Sequence, residues 1–160
     1  HGLWQKSDLF EGSTHVPMII ADPRRPTAGR STKSMAELVD LYPTLAELCG
    51  LRAPDHVQGK SLVPVLDHPT KSVRDAALSV TVSRGAQMHR ELPRKTRIMG
   101  YSLRTPRYRY TEWGGGRFGA ELYDYRNDPE ESTNLAMSAE NDALLAKLRK
   151  QLRTRVKAAQ

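Results

Sequence analysis

The stretch Ile98-Met99-Gly100-Tyr101-Ser102-Leu103-Arg104-Thr105-Pro106-Arg107-Tyr108-Arg109-Tyr110-Thr111-Glu112-Trp113 reads as a β-hairpin. Tyr101 and Leu103 alternate with Ser102 and Arg104, and Tyr108 and Tyr110 alternate with Arg107, Arg109 and Thr111. That period of two sends successive side chains to opposite faces of a sheet. Thr105-Pro106 supplies the turn. The tyrosines then share one face and the arginines the other. The tyrosine face is expected to pack under another element.

Neighbouring segments extend the hairpin into a sheet. Gly114-Gly115-Gly116 is a flexible turn, and Ala120–Tyr125 (AELYDY) is a further strand. Ala76–Ser83 (AALSVTVS) is a preceding strand with Leu78, Val80 and Val82 on one face. Asn127–Glu131 is a turn leading into a short acidic helix start that Asn134-Leu135 ends. Residues 139–158 form the last helix, with Leu145, Leu148, Leu152 and Val156 as its apolar stripe. Its Lys and Arg side chains gather toward the C-terminal end, where they complement the helix dipole. The expectation for about 71–160 is a small antiparallel β-sheet subdomain closed by a C-terminal helix.

The first seventy residues read differently. Val16–Ala21 (VPMIIA) has the length and composition of a buried strand in a mostly parallel sheet. Residues 35–49 carry helical periodicity through Leu38, Leu41, Leu45 and Leu48, with Tyr42 and Cys49 widening the stripe. Pro43 kinks this helix or starts a second one at Thr44. Residues 60–66 hold one short helical turn. Residues 1–70 thus resemble the end of a larger α/β layer. The 160-residue length excludes two large domains, so two half-architectures in one chain imply a fragment. The opening His1-Gly2-Leu3-Trp4, with no initiator Met, fits that expectation.

Charge is unevenly placed. The formal net charge is +7, but residues 1–70 hold 7 basic and 8 acidic side chains, residues 71–120 hold 11 and 3, and residues 121–160 hold 7 of each. A basic middle third suits an anionic partner or is simply a solvated face. Basic–aromatic interleaving on strands is also a feature of RNA-binding sheets. Here the alternation separates the two residue types, so no nucleic-acid partner is expected. The lone Cys49 cannot form an internal disulfide and is expected to pack as a small hydrophobe. No apolar run approaches the roughly 20 residues of a membrane helix. There is no phosphate loop, dinucleotide fingerprint, zinc-spaced Cys/His cluster or Gly-x-Ser-x-Gly elbow. His1, His15, His56, His68 and His89 are scattered, and no metal ligand is assigned to this chain.

The first twenty residues, HGLWQKSDLFEGSTHVPMII, resemble the sulfatase family of the alkaline-phosphatase-like superfamily. Members carry Gly-Glu-His-Gly-x-Trp-x-Lys, then Phe-Glu-x-Ser-Thr-Arg-Val-Pro and an apolar strand. His1-Gly2, Trp4, Lys6, Phe10-Glu11, Ser13-Thr14 and Val16-Pro17 fall in register, and His15 stands in place of the family's arginine. Glu37–Leu45 looks like the family helix after the substrate loop, and Gly59-Lys60-Ser61-Leu62 like its Gly-x-Ser-Leu turn. Met99–Trp113 is similar to the C-terminal hairpin of the iduronate-2-sulfatase-like branch. Glu121-Leu122-Tyr123-Asp124, Asp128-Pro129-Glu130 and Asn134-Leu135 resemble the closing motif.

The resemblance implies a fold class of α/β: the C-terminal part of an alkaline-phosphatase-like α/β/α sulfatase fold, with residues 1–70 ending the large domain and 71–160 forming the small subdomain. It implies hydrolysis of a sulfate ester on a sulfated carbohydrate. Lys6 corresponds to the lysine that contacts the sulfate, where a fixed ammonium offsets the charge that builds on sulfuryl oxygens and on the leaving oxygen. Its alternative is an ordinary surface lysine. His1 and Trp4 fall near the substrate, against a frayed terminus and plain packing as alternatives. Arg84 and Arg97, within the basic block that also holds Arg90, Arg94 and Lys95, are expected at the rim of an anionic-sugar cleft or in a solvated loop. Calcium and the formylglycine residue are implied for the missing N-terminal part of the polypeptide, and without them the fragment is expected to be inactive. Cys49 does not fit the formylglycine pattern. The family also implies an extracytoplasmic setting. The alternatives are a non-enzymatic polyanion-binding module, or a fragment of a related superfamily phosphodiesterase or phosphatase.

Overall fold

Alternating side chains in the second half of the chain do build a sheet. The computed structural model describes residues 8–25, 27, 29–84, 91–93 and 95–159. It divides into two compact units, one of residues 1–17 with 78–160 and one of residues 18–77.

The first unit is a four-stranded sheet in the order β1-β2-β3-β4, with β1 Ala77–Arg84, β2 Arg97–Arg104, β3 Tyr108–Trp113 and β4 Ala120–Asp124. β2/β3 and β3/β4 are antiparallel. The register sets Leu103 opposite Tyr110 and Tyr110 opposite Leu122, all three fully buried. The final helix, Asp142–Ala158, crosses this face and buries Leu148 and Leu152. Arg149 Nε donates to the Tyr110 hydroxyl at 3.0 Å, so a tyrosine does lie under the last helix as the alternation implies.

The opposite face carries Ser102, Thr111 and Glu121 in one cross-strand row and Arg104, Arg109 and Tyr123 in the next. It is covered by the segment that leads into α1, a single turn at Glu11–Thr14. Leu9 joins Ile98 and Trp113 in a small apolar cluster, with Leu92 and Phe118 packed around it. Phe10 meets Tyr123 with ring centroids 6.0 Å apart. Gly100 is opposite Trp113, whose ring would lie 2.4 Å from a Cβ at that position. Only glycine lets the indole lie flat against the strand.

The second unit contains a 3-10 turn at Leu38–Asp40, then α2 Leu41–Leu48 and α3 Val63–Asp67; Asp142–Ala158 is then α4. Pro43 falls in the first turn of α2, where its missing amide costs nothing. Leu62, Val63 and Val65 form the buried apolar part. At its centre is a buried ion pair. The Asp40 carboxylate accepts from the Glu37 and Lys60 main-chain amides at 2.9 and 2.7 Å and from Arg74 Nε at 2.7 Å. Gly59 packs so closely on Val39 that an added Cβ would sit 2.0 Å from its carbonyl oxygen.

Several expectations are overturned. Residues 15–22 form no strand, and Ile19 is 90% exposed. No described strand pairs with this segment, and a lone strand gains no ladder hydrogen bonds. The predicted apolar stripe splits: Leu38 and Val39 in the 3-10 turn and Tyr42 and Leu45 in α2 are more than half exposed, Leu41 and Leu48 are half-buried, and Asp40, Pro43 and Thr44 face inward. The inward face is set by the Asp40–Arg74 pair and by Thr44, whose hydroxyl accepts from the Leu62 amide at 2.9 Å. Cys49 is exposed rather than packed. Val80 and Val82 on β1 are exposed as well, because α4 covers β2 and β3 rather than this outer strand. Asn134 starts a helical turn instead of ending one: its side chain accepts from the Ala136 amide and caps Leu135–Met137.

Candidate functional site

Most of the sequence-predicted site lies beyond the described residues. His1, Trp4 and Lys6 are outside them. Arg84 ends β1, and its side chain is likewise outside them. Arg97 opens β2 and is exposed. His15, in the place of the family's arginine, is exposed and lies 3.2 Å from the Glu11 carboxylate.

What the structure does bring together is a buried polar network two residues downstream of Lys6 and beyond. The Phe10 amide donates to the Asp8 carboxylate at 3.0 Å and fixes the entry to α1. The Glu11 amide donates to Glu131 Oε2 at 2.7 Å. Arg109, 1% exposed, donates from Nε to Glu131 Oε1 at 2.6 Å and to the Tyr125 hydroxyl at 2.8 Å. Its Nη1 donates to Ser102 Oγ at 3.2 Å, and its Nη2 reaches Thr14 Oγ1 at 2.9 Å and the Glu11 carboxylate. The Tyr125 hydroxyl also donates to Glu11 Oε2 at 3.0 Å, and Arg104 Nε reaches the same oxygen at 3.1 Å. The Arg104 guanidinium lies 3.5 Å from the centre of the Tyr125 ring.

The electrostatics are those of a closed system. Burial pushes the Glu11 carboxyl up, but the hydrogen bond and charge of Arg104, with Arg109 and Tyr125, outweigh it and hold the group below its ordinary value. Burial likewise works against the Arg109 charge, and Tyr125, Glu131 and Glu11 outweigh it. Burial and the hydrogen bond to Glu131 push the Tyr125 hydroxyl up, so it remains a proton donor. Nearby, burial raises the Glu121 carboxyl despite the hydrogen bond from Trp113 Nε1. Arg107 is spent on Asp124, with paired contacts at 2.9 and 2.8 Å. Arg104 and Arg109 of the basic middle third are thus neutralised inside the fold, and Arg107 is paired at its surface.

Sequence reasoning placed Glu11 in a family motif and Arg109 on the face away from the tyrosines, but left Glu131 in a turn and Tyr125 at a strand end. The alternation was the available signal: an arginine on the concealed face of a strand needs a buried carboxylate. Among the described residues there is no group of three or more His, Cys, Asp or Glu side chains suited to a metal. A groove of about 520 Å³ on the second unit is lined by Val39, Tyr42, Pro54, His56, Val57 and Gly59, with no lysine or arginine in its lining.

The chain matches the family "N-sulphoglucosamine sulphohydrolase, C-terminal" over residues 1–158. It belongs to this sulfatase family. Among curated relatives, arylsulfatase K of Xenopus laevis is 31% identical over 137 residues, covering 85% of this chain and 25% of its own. The N-acetylglucosamine-6-O-sulfatase of Bacteroides thetaiotaomicron is 29% identical over 142 residues, covering 88% of this chain and 24% of its own. This sulfatase-family chain therefore spans about a quarter of the length of those relatives. Among solved structures, BT4656 in complex with its substrate D-glucosamine-2-N,6-O-disulfate is 25% identical with a TM-score of 0.70, over 85% of this chain and 27% of that one. The phosphonate monoester hydrolase of Agrobacterium radiobacter is 32% identical with a TM-score of 0.80, over 99% of this chain and 32% of that one. The α/β class, with its antiparallel sheet and C-terminal helix, is the C-terminal architecture of these enzymes. No helix among the described residues is long and apolar enough to cross a membrane.

Proposed function

We propose that this chain is the C-terminal part of a sulfatase acting on sulfated glycans, with iduronate-2-sulfatase-like preference and an extracytoplasmic setting. The family match over residues 1–158 carries this reading. The relative solved with a disulfated glucosamine supports the substrate class. In this reading residues 1–70 complete the large α/β domain and 71–160 are the small subdomain. Lys6 contacts the sulfate, and its ammonium offsets charge developing on the sulfuryl and leaving oxygens. His1 and Trp4 flank that position, and Arg84 and Arg97 select the anionic sugar at the rim. By the family resemblance, calcium and formylglycine belong to the N-terminal part of the full-length polypeptide.

The test compares three proteins on an aryl sulfate and on a panel of sulfated disaccharides. The full-length enzyme is expected to turn over both and to favour 2-O-sulfated uronic acids. The isolated 160-residue chain is expected to be inactive, and Lys6→Ala in the full-length enzyme is expected to lower kcat by about 100-fold or more. Turnover by the isolated chain, or a near-normal Lys6→Ala enzyme, overturns the corresponding part.

A second reading is favoured by the 0.80 TM-score over 99% of the chain to a phosphonate monoester hydrolase. Under that reading the same cation stabilises a phosphonyl oxygen. A kcat/KM for an aryl phosphonate monoester above that for the matching aryl sulfate selects it.

A further inference from the structure

We propose that the exposed face of α4, extended by Arg117, is a docking surface for a sulfated polysaccharide chain. Lys147, Arg149, Lys150, Arg153, Arg155 and Lys157 all lie on this helix, and no acidic residue follows Asp142. All of them except Arg155 are exposed. Leu148 and Leu152 are buried against the sheet and fix which side of the helix meets solvent. Spacings of three and four then set Lys147, Lys150, Arg153 and Lys157 along the outward side, over about 15 Å of helix. Arg153 Nη2 donates to the Gly115 carbonyl and Arg117 Nε to the Gly114 carbonyl, each at 3.4 Å. The glycine turn after β3 thus carries the charge beyond the helix.

Two ordinary uses of such charge do not account for it. The helix dipole acts within the last turn, whose basic residues are Arg155 and Lys157. Four of the six cations precede that turn. Ion pairing accounts for little more. Glu112, a single buried carboxylate, lies 3.8 Å from Arg149 and 3.7 Å from Arg153, so one negative charge stands against two guanidiniums. Among the described residues no carboxylate pairs with Lys147, Lys150 or Lys157. Arg104, Arg107 and Arg109 each have one. Within α4 the near neighbours are like charges: Lys147 with Lys150, Lys150 with Arg153, Arg149 with Arg153, and Arg153 with Lys157. Like charges at these spacings weaken a helix, where carboxylates would strengthen it. A face built this way is stabilised by an anion that covers it.

The side chains also select the kind of polyanion. α4 has no aromatic residue, and stacking on aromatic rings is what single-stranded nucleic acid takes from such a surface. Its leucines and Val156 are buried or half-buried, so the outward side has no large apolar group to enter a lipid layer. What remains is a row of ammonium and guanidinium donors, which suits a linear chain of fixed sulfates bound through counterion release. The identity of the polymer rests on the reading of the protein as a glycan sulfatase; the cationic face does not.

The test is the affinity of the full-length enzyme for heparin as a function of salt. Lys147→Gln, Lys150→Gln and Lys157→Gln are combined in one variant. Lys33→Gln, Arg52→Gln and Lys71→Gln, at exposed positions of the other unit, are combined in a second variant that loses the same charge. The α4 variant is expected to lower the slope of log affinity against log salt by about three and to weaken binding by about 10-fold or more at about 0.15 M salt. The charge-matched variant is expected to change binding by less than about twofold. Equal losses in the two variants, or none in the α4 variant, overturn the proposal. Duplex DNA or phosphatidylserine vesicles that bind as tightly as heparin at the same salt, and lose as much in the α4 variant, overturn the choice of a sulfated glycan. An enzyme that turns over no sulfate ester, yet loses heparin binding with the α4 variant, overturns the sulfatase reading and upholds the face.

Discussion

Asp40 and Arg74 show how one residue decides a whole unit. Their side chains are 0% and 3% exposed, and the carboxylate also takes two main-chain amides. Removing one partner of such a pair strands the other charge, at a cost of about 3–5 kcal/mol. Arg74→Met should destabilise residues 18–77 by that amount in denaturant titration. Acid should act through the same pair. Burial pushes the Asp40 carboxyl up, but Arg74 and the Lys60 and Glu37 amides outweigh it and hold it below its ordinary 3.8. The folded form therefore binds fewer protons than the unfolded form in the window below 3.8. The stabilisation is complete above that value and is lost as pH falls through the lowered one. Thermal midpoints of the wild-type chain should drop across this window more steeply than those of Asp40→Asn.

Elements differ in what their apolar residues do. In α4 the stripe is buried: Leu152 is fully enclosed, and Leu152→Ala should cost about 2–5 kcal/mol. In α2 part of the stripe, Tyr42 and Leu45, is exposed, and Leu45→Ser should change the stability of the 160-residue chain by less than about 0.5 kcal/mol. Equal losses at the two positions would show that the α2 stripe is covered in the isolated chain. Between β2 and β3 the constraint is a missing side chain. Gly100→Ala drives a Cβ into the Trp113 ring and should cost about 1–3 kcal/mol. These three values come from urea unfolding of the same chain, followed by tryptophan fluorescence for the sheet and by circular dichroism for the helices.

For the whole molecule, the basic excess of residues 71–120 overstates what a polyanion meets there. That excess includes Arg104, Arg107 and Arg109, which are paired with Glu11, Asp124 and Glu131 from outside those residues, so the net +7 is unchanged but the local excess is smaller. Cations left on the surface include Lys95 before β2, Arg97 at its start, and Lys147, Lys150 and Lys157 on α4. Retention of the chain on heparin should fall with Lys95→Gln and Arg97→Gln together, each lost phosphate- or sulfate-type contact lowering the salt slope by about one. Arg107→Gln should leave the slope unchanged. The hairpin, the strand after it and the last helix were legible in the chain because alternation and a period of 3.6 are local signals that burial on one face enforces. The sulfatase relationship was legible too, in ordered motifs from His1 to Leu135. Local pattern could not say which face is covered. Tyr42 and Leu45 of α2 and the valines of β1 look like core residues, yet they are exposed, because burial depends on what arrives from far along the chain. Nor could it pair Arg109 with Glu131 and Glu11, since a guanidinium on a strand is a solvated charge or a buried anchor according to the carboxylates that folding brings within 3 Å of it.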